Sequence, residues 1–69
     1  MFSFKPLWKV LIDRDMTKEN LRTAIKTSSA TMTKMSKNEY ISMKILDDIC
    51  TYLNCNISDV IEFIPNVKS

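Results

Sequence analysis

The side chains with which this chain of 69 residues could do chemistry are chiefly its cations and its hydroxyls. Residues 1–40 carry eight Lys and Arg against four Asp and Glu, a balance of +4, whereas residues 41–69 carry two against four, a balance of −2. A basic half beside an acidic half is typical of a protein that turns one face toward a polyanion. Within the basic half, residues 28–31 are Ser-Ser-Ala-Thr, whose small side chains allow a second molecule to approach closely.

Catalysis and metal binding have little support in the same sequence. Histidine is absent, which removes the commonest general base and the commonest zinc ligand. Cys50 and Cys55 cannot complete a structural zinc site alone, because such a site has four ligands; we interpret both as reduced thiols, Cys50 packed in a helix and Cys55 just past its end. Asp47 and Asp48 are adjacent, so on a helix they diverge by about 100° and cannot form a catalytic pair. We therefore expect no enzyme, no catalytic residue, no metal and no cofactor.

The Ser-Ser-Ala-Thr segment begins the second of two closely spaced predicted helices. Thr17 is a good N-cap for the first, which should end near residues 25–26, and Ser28 caps the second, which should end near Asn38. Two helices joined by so short a turn must cross steeply, which predicts a helix-turn-helix over about residues 17–38. The side chains expected to lock this pair together are Leu21, Ile25, Met32 and Met35.

Two further helices flank this pair. One is predicted from about Pro6 to Arg14, since proline suits the first helical turn, where its missing N–H is not needed. Trp8 should cover one edge of it. Its inward side chains are Leu7, Val10 and Leu11. The other begins after Ser42 and ends at Asn54. Its apolar stripe consists of Ile45, Leu46, Ile49 and Leu53.

A fifth helix is predicted from about Ser58 to Phe63, with Ser58 as its cap and Pro65 as its stop. Its apolar side chains are Ile57, Val60, Ile61 and Ile64. Together these segments predict a compact, all-α, five-helix fold. We expect one domain over residues 1–69, because a chain of this length has no room for a second core.

The order of these helices, and the residues that carry it, resemble the phage-repressor-like helix-turn-helix family, the Cro and XRE group of transcription regulators. The matching stretches are MTKENL at 16–21, SSATM at 28–32, KMSKNEY at 34–40 and SMKILDDICTYLNCNISDVI at 42–61. The resemblance runs from about Pro6 to Pro65 and implies a lambda-repressor-like fold. Three residues depart from it. Lys26 stands where the family commonly has Gly in the turn, Arg22 where a small residue is usual, and Lys18 where Gln is common.

By this resemblance we expect a sequence-specific regulator of transcription, a repressor, that reads the major groove of double-stranded DNA with the helix starting at Ser28. The implied base-reading residues are Ser29, Ala30, Thr33 and Lys34. The phosphate-binding residues are Lys18, Ser28, Lys37 and Asn38, because helices in this fold aim their starts at the DNA backbone. The alternative for the first set is an ordinary solvated helix face. For the second set it is surface charge that aids solubility.

A rival class of function is a protein-interaction module on the same fold, such as an antitoxin-like or anti-repressor partner binder. The small, basic outer face of the third helix favours DNA, whereas an apolar face would have favoured a protein partner. We expect no small-molecule ligand and no membrane association. Because residues 1–12 lack the pattern of a signal peptide, we also expect a cytoplasmic protein. The family resemblance implies a bacterial or phage origin.

The C-terminal segment is predicted to form an interface between two copies of the chain. The apolar side chains assigned to this homodimer contact are Val60, Phe63, Ile64 and Val67, with only Ile57 and Ile61 clearly needed inside. The alternative is that Phe63 and Ile64 fold back on the first helix near Trp8 and complete the core of a monomer.

Overall fold

Four α-helices, one 3₁₀ turn and a two-stranded antiparallel sheet make up the protein in a computed structural model, which describes residues 1–65. In chain order the elements are β1 (Phe2–Ser3), α1 (Lys5–Asp13), α2 (Lys18–Ile25), α3 (Ser29–Ser36), α4 (Met43–Leu53), the 3₁₀ turn (Ile57–Asp59) and β2 (Glu62–Phe63). β1 pairs with β2 so that Phe2 lies opposite Phe63 and Ser3 opposite Glu62. No helix within residues 1–65 is both long enough and apolar enough to cross a bilayer.

The fifth helix predicted over Ser58 to Phe63 is wrong, and the fold is mostly helical rather than all-α. The helical part is a single 3₁₀ turn, closed where the backbone N–H of Asn56 donates to Asp59 Oδ2 at 3.3 Å. Val60 still has helical backbone, with φ −107° and ψ −47°, and the chain forms a strand only from Glu62. Glu62–Phe63 then pairs with the start of the chain, a contact between distant residues that no local pattern reveals.

Side-chain caps start three of the helices where the sequence predicts them. Thr17 Oγ1 accepts from the backbone N–H of Asn20 at 3.0 Å, while Asn20 Oδ1 accepts from that of Thr17 at 3.0 Å, so the two residues form a capping box at α2. Ser28 Oγ accepts from the N–H of Thr31 at 3.2 Å, which begins α3. Ser42 caps α4 in the same way. These bonds satisfy amides that would otherwise lack partners at a helix start.

Left-handed residues end the helices, although the chain contains no glycine. Positive φ values occur at Asp15 (59°), Lys26 (56°), Asn38 (57°) and Asn54 (52°) within the described residues. Asn and Asp tolerate this conformation better than other residues with a Cβ atom. The ends predicted at Asn38 and Asn54 are therefore confirmed, and Lys26 is the one position of the four without such a side chain.

One core holds these elements together, and α2 packs against both α4 and α3. The fully buried large side chains are Leu7, Leu21, Met35, Ile49, Leu53 and Val60. All of these except Val60 were expected inside. Val60 and Phe4 are the buried apolar residues that helical spacing does not place in the core, whereas Ile57, which is expected there, is 46% exposed.

Candidate nucleic-acid interface

The link between α2 and α3 fixes how α3 is presented. α2 ends at Ile25, Lys26 turns the chain through a left-handed conformation, and α3 starts at Ser29. On the inner side Leu21, Met32 and Met35 are buried, so both helices are anchored in the core. α3 consequently offers its opposite side to solvent.

The four predicted base-reading residues share that solvent side. Ser29, Ala30, Thr33 and Lys34 are all exposed. Thr33 Oγ1 donates to the carbonyl oxygen of Ser29 at 3.0 Å, which ties the hydroxyl to its own helix and leaves its lone pairs free to accept. Lys34 takes part in neither of the ion pairs found within residues 1–65, which are Arg22–Glu19 and Lys44–Asp48. The helix thus presents one cation flanked by small side chains.

The four predicted phosphate-binding residues lie at the ends of α2 and α3. Ser28 and Lys37 are exposed at the start and the end of α3. Ser28 Oγ already caps α3, and Asn38 is half-buried, with Oδ1 accepting from the N–H of Phe4 at 3.0 Å. The Asn38 amide nitrogen, rather than its oxygen, is therefore the group left to donate to a phosphate.

Lys18, the fourth of that set, has a defined position between three helices. Its ammonium Nζ lies 4.2 Å from the centroid of the Trp8 ring and donates to Ser36 Oγ at 3.2 Å. A cation over an indole face is attracted by the quadrupole of the neutral ring, whose face is partially negative. The contact joins α1, the first turn of α2 and the last turn of α3. Trp8, which the sequence places at an edge, and Ser36, for which the sequence predicts no role, thus hold the Lys18 ammonium. Ser36 directly precedes Lys37 in the chain.

Arg22 braces the turn, a role that its sequence position did not reveal. Its Nε donates to Glu19 Oε2 at 2.8 Å, and its Nη1 donates to the carbonyl oxygen of Thr27 at 3.3 Å. The hydrogen bond to Arg22 holds the pKa of the Glu19 carboxyl below its ordinary value, and Glu19 raises the pKa of the guanidinium. An arginine three residues after a glutamate on a helix is a sequence signal for this ion pair. The bond to the Thr27 carbonyl has no such signal, because it depends on the conformation of the turn.

The residues assigned to a dimer contact do not share one environment. Val60 is fully buried and cannot belong to an interface, whereas Phe63 and Ile64 are 62% and 42% exposed. Val67 lies outside the described residues. The alternative, that Phe63 and Ile64 pack near Trp8, is also wrong. The Phe63 ring packs edge-on against Phe2, with 5.5 Å between the ring centroids, because β2 pairs with β1.

No group of three or more Asp, Glu, Cys or His side chains in residues 1–65 is placed to hold a metal ion. What the surface does offer is an exposed helix with small residues at its start, a cation in its last turn, and further cations around its end. A helix presented in this way after a sharp turn from a core-anchored helix defines a helix-turn-helix DNA-binding domain.

The chain belongs to the Cro/C1-type HTH DNA-binding domain family, whose family model matches residues 6–66. The resemblance drawn from the sequence is therefore confirmed. Among solved structures, the chain is similar to the crystal structure (Form II) of the transcriptional regulator VanUg, with 49% identity and a TM-score of 0.91. That match covers 94% of this chain and 87% of the other. No protein of curated function matches the sequence.

Proposed function

We propose that this protein is a sequence-specific regulator of transcription that binds double-stranded DNA as a repressor, with α3 in the major groove. The observation that carries the proposal is the outer side of α3, which is exposed and carries small and hydroxyl side chains, with Lys34 in its last turn and Lys37 directly after it. The structural relative described as a transcriptional regulator supports the same function. Repression follows from occupancy, since a bound domain keeps other proteins out of the same groove. The polar character of this face does not favour a protein-interaction module.

In this proposal one set of residues contacts base edges and a second set contacts phosphates. Lys34 donates to guanine O6 or N7, and Ala30 packs against a thymine methyl group, while Ser29 and Thr33 contact neighbouring base edges. Lys18, Ser28, Lys37 and Asn38 hold phosphates, which fix the register of α3 but carry no sequence information. Because Trp8 and Ser36 already position the Lys18 ammonium, little of its side-chain freedom remains to be lost on binding.

The test is DNA binding by fluorescence anisotropy, with a site selected from a random pool and a random duplex, at several salt concentrations. Each phosphate contact should add about −0.9 to the slope of log K against log salt. Lys34→Ala should lose about 1–3 kcal/mol on the selected site and relax the preference at one base pair. Lys37→Ala should weaken both duplexes equally and flatten the slope.

Lys44→Ala is the matched control, because it removes the same single positive charge from an exposed lysine that lies on α4, outside the proposed DNA contacts. It should leave both affinities nearly unchanged. Failure to bind either duplex would rule out DNA as the ligand, and an affinity that does not respond to salt would rule out the phosphate contacts. Equal losses on both duplexes for Lys34→Ala would move that residue from the base-reading set to the phosphate set.

We further propose that two copies bind one site as a symmetric pair, since a single helix in one groove reads few base pairs. The surface we assign to the pairing consists of Phe63, Ile64 and Phe2, around the unpaired edge of β2. An open strand edge with exposed apolar side chains can add a strand from a second copy. Phe63 and Ile64 belong to the acidic half of the chain, and none of the three residues is among the proposed DNA contacts, so pairing here leaves those contacts free.

Sedimentation velocity with and without a palindromic duplex tests this pairing. Phe63→Asp should shift the assembly toward the monomer and weaken binding to the palindrome more than binding to a single half-site. Tyr52→Asp is the control, because Tyr52 is also aromatic and 51% exposed but lies on α4, outside the sheet and the proposed DNA contacts. A wild-type monomer that saturates one half-site as tightly as the palindrome would contradict the pairing while leaving DNA binding intact.

A further inference from the structure

Two thiols meet at the end of α4. The backbone N–H of Cys55 donates to the carbonyl oxygen of Cys50 at 3.1 Å, and that of Asn54 donates to the carbonyl oxygen of Thr51 at 3.3 Å. Asn54, between these bonds, is left-handed with φ 52°. This combination is the Schellman motif, in which the side chains of the two residues joined by the wider-spanning bond, here Cys50 and Cys55, are brought into contact. Here those two side chains are both cysteines.

The backbone geometry suits a covalent bridge between them. A hydrogen bond of 3.1 Å from the Cys55 N–H to the Cys50 carbonyl keeps the two Cα atoms no more than about 7 Å apart. Cysteines can be bridged without backbone movement only when their Cα atoms lie within that distance. Both residues are free and half-buried, and both line one open surface pocket beside Leu46 and Ile57. A small reagent can therefore reach them.

We propose that Cys50 and Cys55 are a dithiol site for low-molecular-weight disulfides of the glutathione type, which close the pair into an intramolecular disulfide across the end of α4. The contact between the two thiols depends on the folded turn. The sequence, in which four other residues separate the cysteines, therefore does not predict this contact.

The reaction is two successive thiol–disulfide exchanges. The Cys55 thiolate attacks one sulfur of the reagent, whose S–S bond breaks. This leaves a mixed disulfide on Cys55 and one thiolate, which takes up a proton. Cys50 then gives its proton to solvent and attacks the Cys55 sulfur, which expels the second reagent thiolate. In sum, two protein thiols are oxidised and one reagent disulfide is reduced to two thiols.

The order of attack follows from the surroundings of Cys50. Burial raises the pKa of the Cys50 thiol, and the nearby Cys55 thiol raises it further. The thiolate is the attacking species, so Cys50 is the slower nucleophile toward a free reagent. It becomes effective once the target sulfur is held beside it on Cys55. Cys50 therefore serves as the resolving residue.

Closure should stabilise the folded chain without affecting the α3 face. A cross-link that matches the native geometry restricts the unfolded chain, which raises the melting temperature. No residue of the proposed DNA contacts lines the pocket that contains the two thiols. Oxidation and DNA binding can therefore be measured independently.

The experiment equilibrates the folded wild-type chain with mixtures of glutathione disulfide and glutathione, quenches with acid, and measures intact mass and free thiols. We expect the wild type to lose both thiols without gaining glutathione mass. Cys50→Ser and Cys55→Ser should each stop at a single glutathione adduct. In urea, at the same glutathione ratio, a smaller fraction of the wild type should be closed, because the turn that aligns the thiols is absent.

Three results would overturn the proposal. The first is a folded wild type that stops at glutathione adducts or keeps both thiols at every ratio. The second is a covalent dimer on a non-reducing gel in place of the closed monomer. The third is a closed fraction in urea equal to that of the native chain, which would show that the fold does not favour the pair.

Discussion

Lys26 is the residue of the helix-turn-helix link whose replacement should make the protein more stable. It has φ 56° and ψ 43°, the left-handed conformation, at the C-terminal end of α2. For a residue with a Cβ atom this conformation costs about 1–2 kcal/mol, whereas glycine adopts it freely. Lys26→Gly removes that cost but adds backbone freedom to the unfolded chain, which offsets about 0.4–1 kcal/mol. The net gain in the free energy of unfolding should be about 0.5–1 kcal/mol.

For a domain of this size, 1 kcal/mol corresponds to a shift in melting temperature of about 4–8 °C. Thermal unfolding followed by circular dichroism should therefore place Lys26→Gly a few degrees above the wild type. Lys26→Asn should gain less, since asparagine tolerates the conformation but still has a Cβ atom. The N–H of residue 26 donates to helix carbonyls in either case, so the cap itself is unchanged.

Lys37→Gly is the matched control for this prediction. Lys37 is also an exposed lysine at the end of a helix, but its φ is −95°, which any residue adopts. Glycine there brings only the added freedom of the unfolded chain, so the melting temperature should fall slightly. If both Gly variants move in the same direction, the reasoning from φ is refuted and loss of a lysine charge explains the change.

Three further outcomes follow from the core, the Lys18 contact and the Glu19 pair. Leu21→Ala should leave the domain largely unfolded, because truncating a fully buried leucine costs about 2–5 kcal/mol and a domain this small has little more to lose; a melting temperature only about a degree or two lower would place Leu21 outside the core. Trp8→Leu should weaken binding to all DNA sequences equally, by severalfold at most, since a cation–π contact at an exposed site contributes about 0.5–1 kcal/mol; Trp8→Phe, which keeps an aromatic face, should lose less, and a change in base preference would contradict the role assigned to Lys18. In an NMR titration Glu19 of the wild type should protonate at a lower pH than Glu19 of Arg22→Ala, since Arg22 depresses its folded pKa. The stabilisation from this pair is present above the unfolded pKa and is lost as pH falls through the folded pKa. An equal midpoint in both proteins would show that Arg22 does not hold the carboxylate.

Local chemistry made most of the helical fold predictable. Thr17, Ser28 and Ser42 each place an oxygen where a helix start leaves amides unpaired, and the structure uses all three as caps. Asn38 and Asn54 mark helix ends because they tolerate a left-handed backbone. In each case the signal and the element lie within a few residues of one another.

What the sequence did not reveal depends on residues that are distant along the chain. Phe2 and Phe63 meet only because β1 pairs with β2, so local spacing predicts a helix for the last segment and a dimer contact for Val60. The position of Lys18 over Trp8 likewise depends on how α1 and α2 cross. Periodicity indicates which side of a helix is buried but not which side chain of another element it meets.

The two departures of the α2–α3 link from its family pattern are connected in the structure. Lys26 holds an unfavourable conformation, and Arg22 donates to the carbonyl oxygen of Thr27, the next residue. The guanidinium thus fastens the chain immediately after the strained residue, while Glu19 fixes the guanidinium. If this brace keeps Lys26 left-handed, the turn should relax in Arg22→Ala and relieve part of the strain.

A double-mutant cycle on the free energy of unfolding measures this connection. Lys26→Gly should stabilise the Arg22→Ala protein less than it stabilises the wild type, because an unbraced turn has less strain for glycine to remove. Equal gains in the two backgrounds would show that the turn is held by the buried side chains Leu21 and Met32 instead. Because the link sets the angle of α3, Arg22→Ala should also weaken DNA binding by more than the loss of one cation explains. If the only change is a salt slope flattened by a single phosphate contact, the brace does not set the angle of α3.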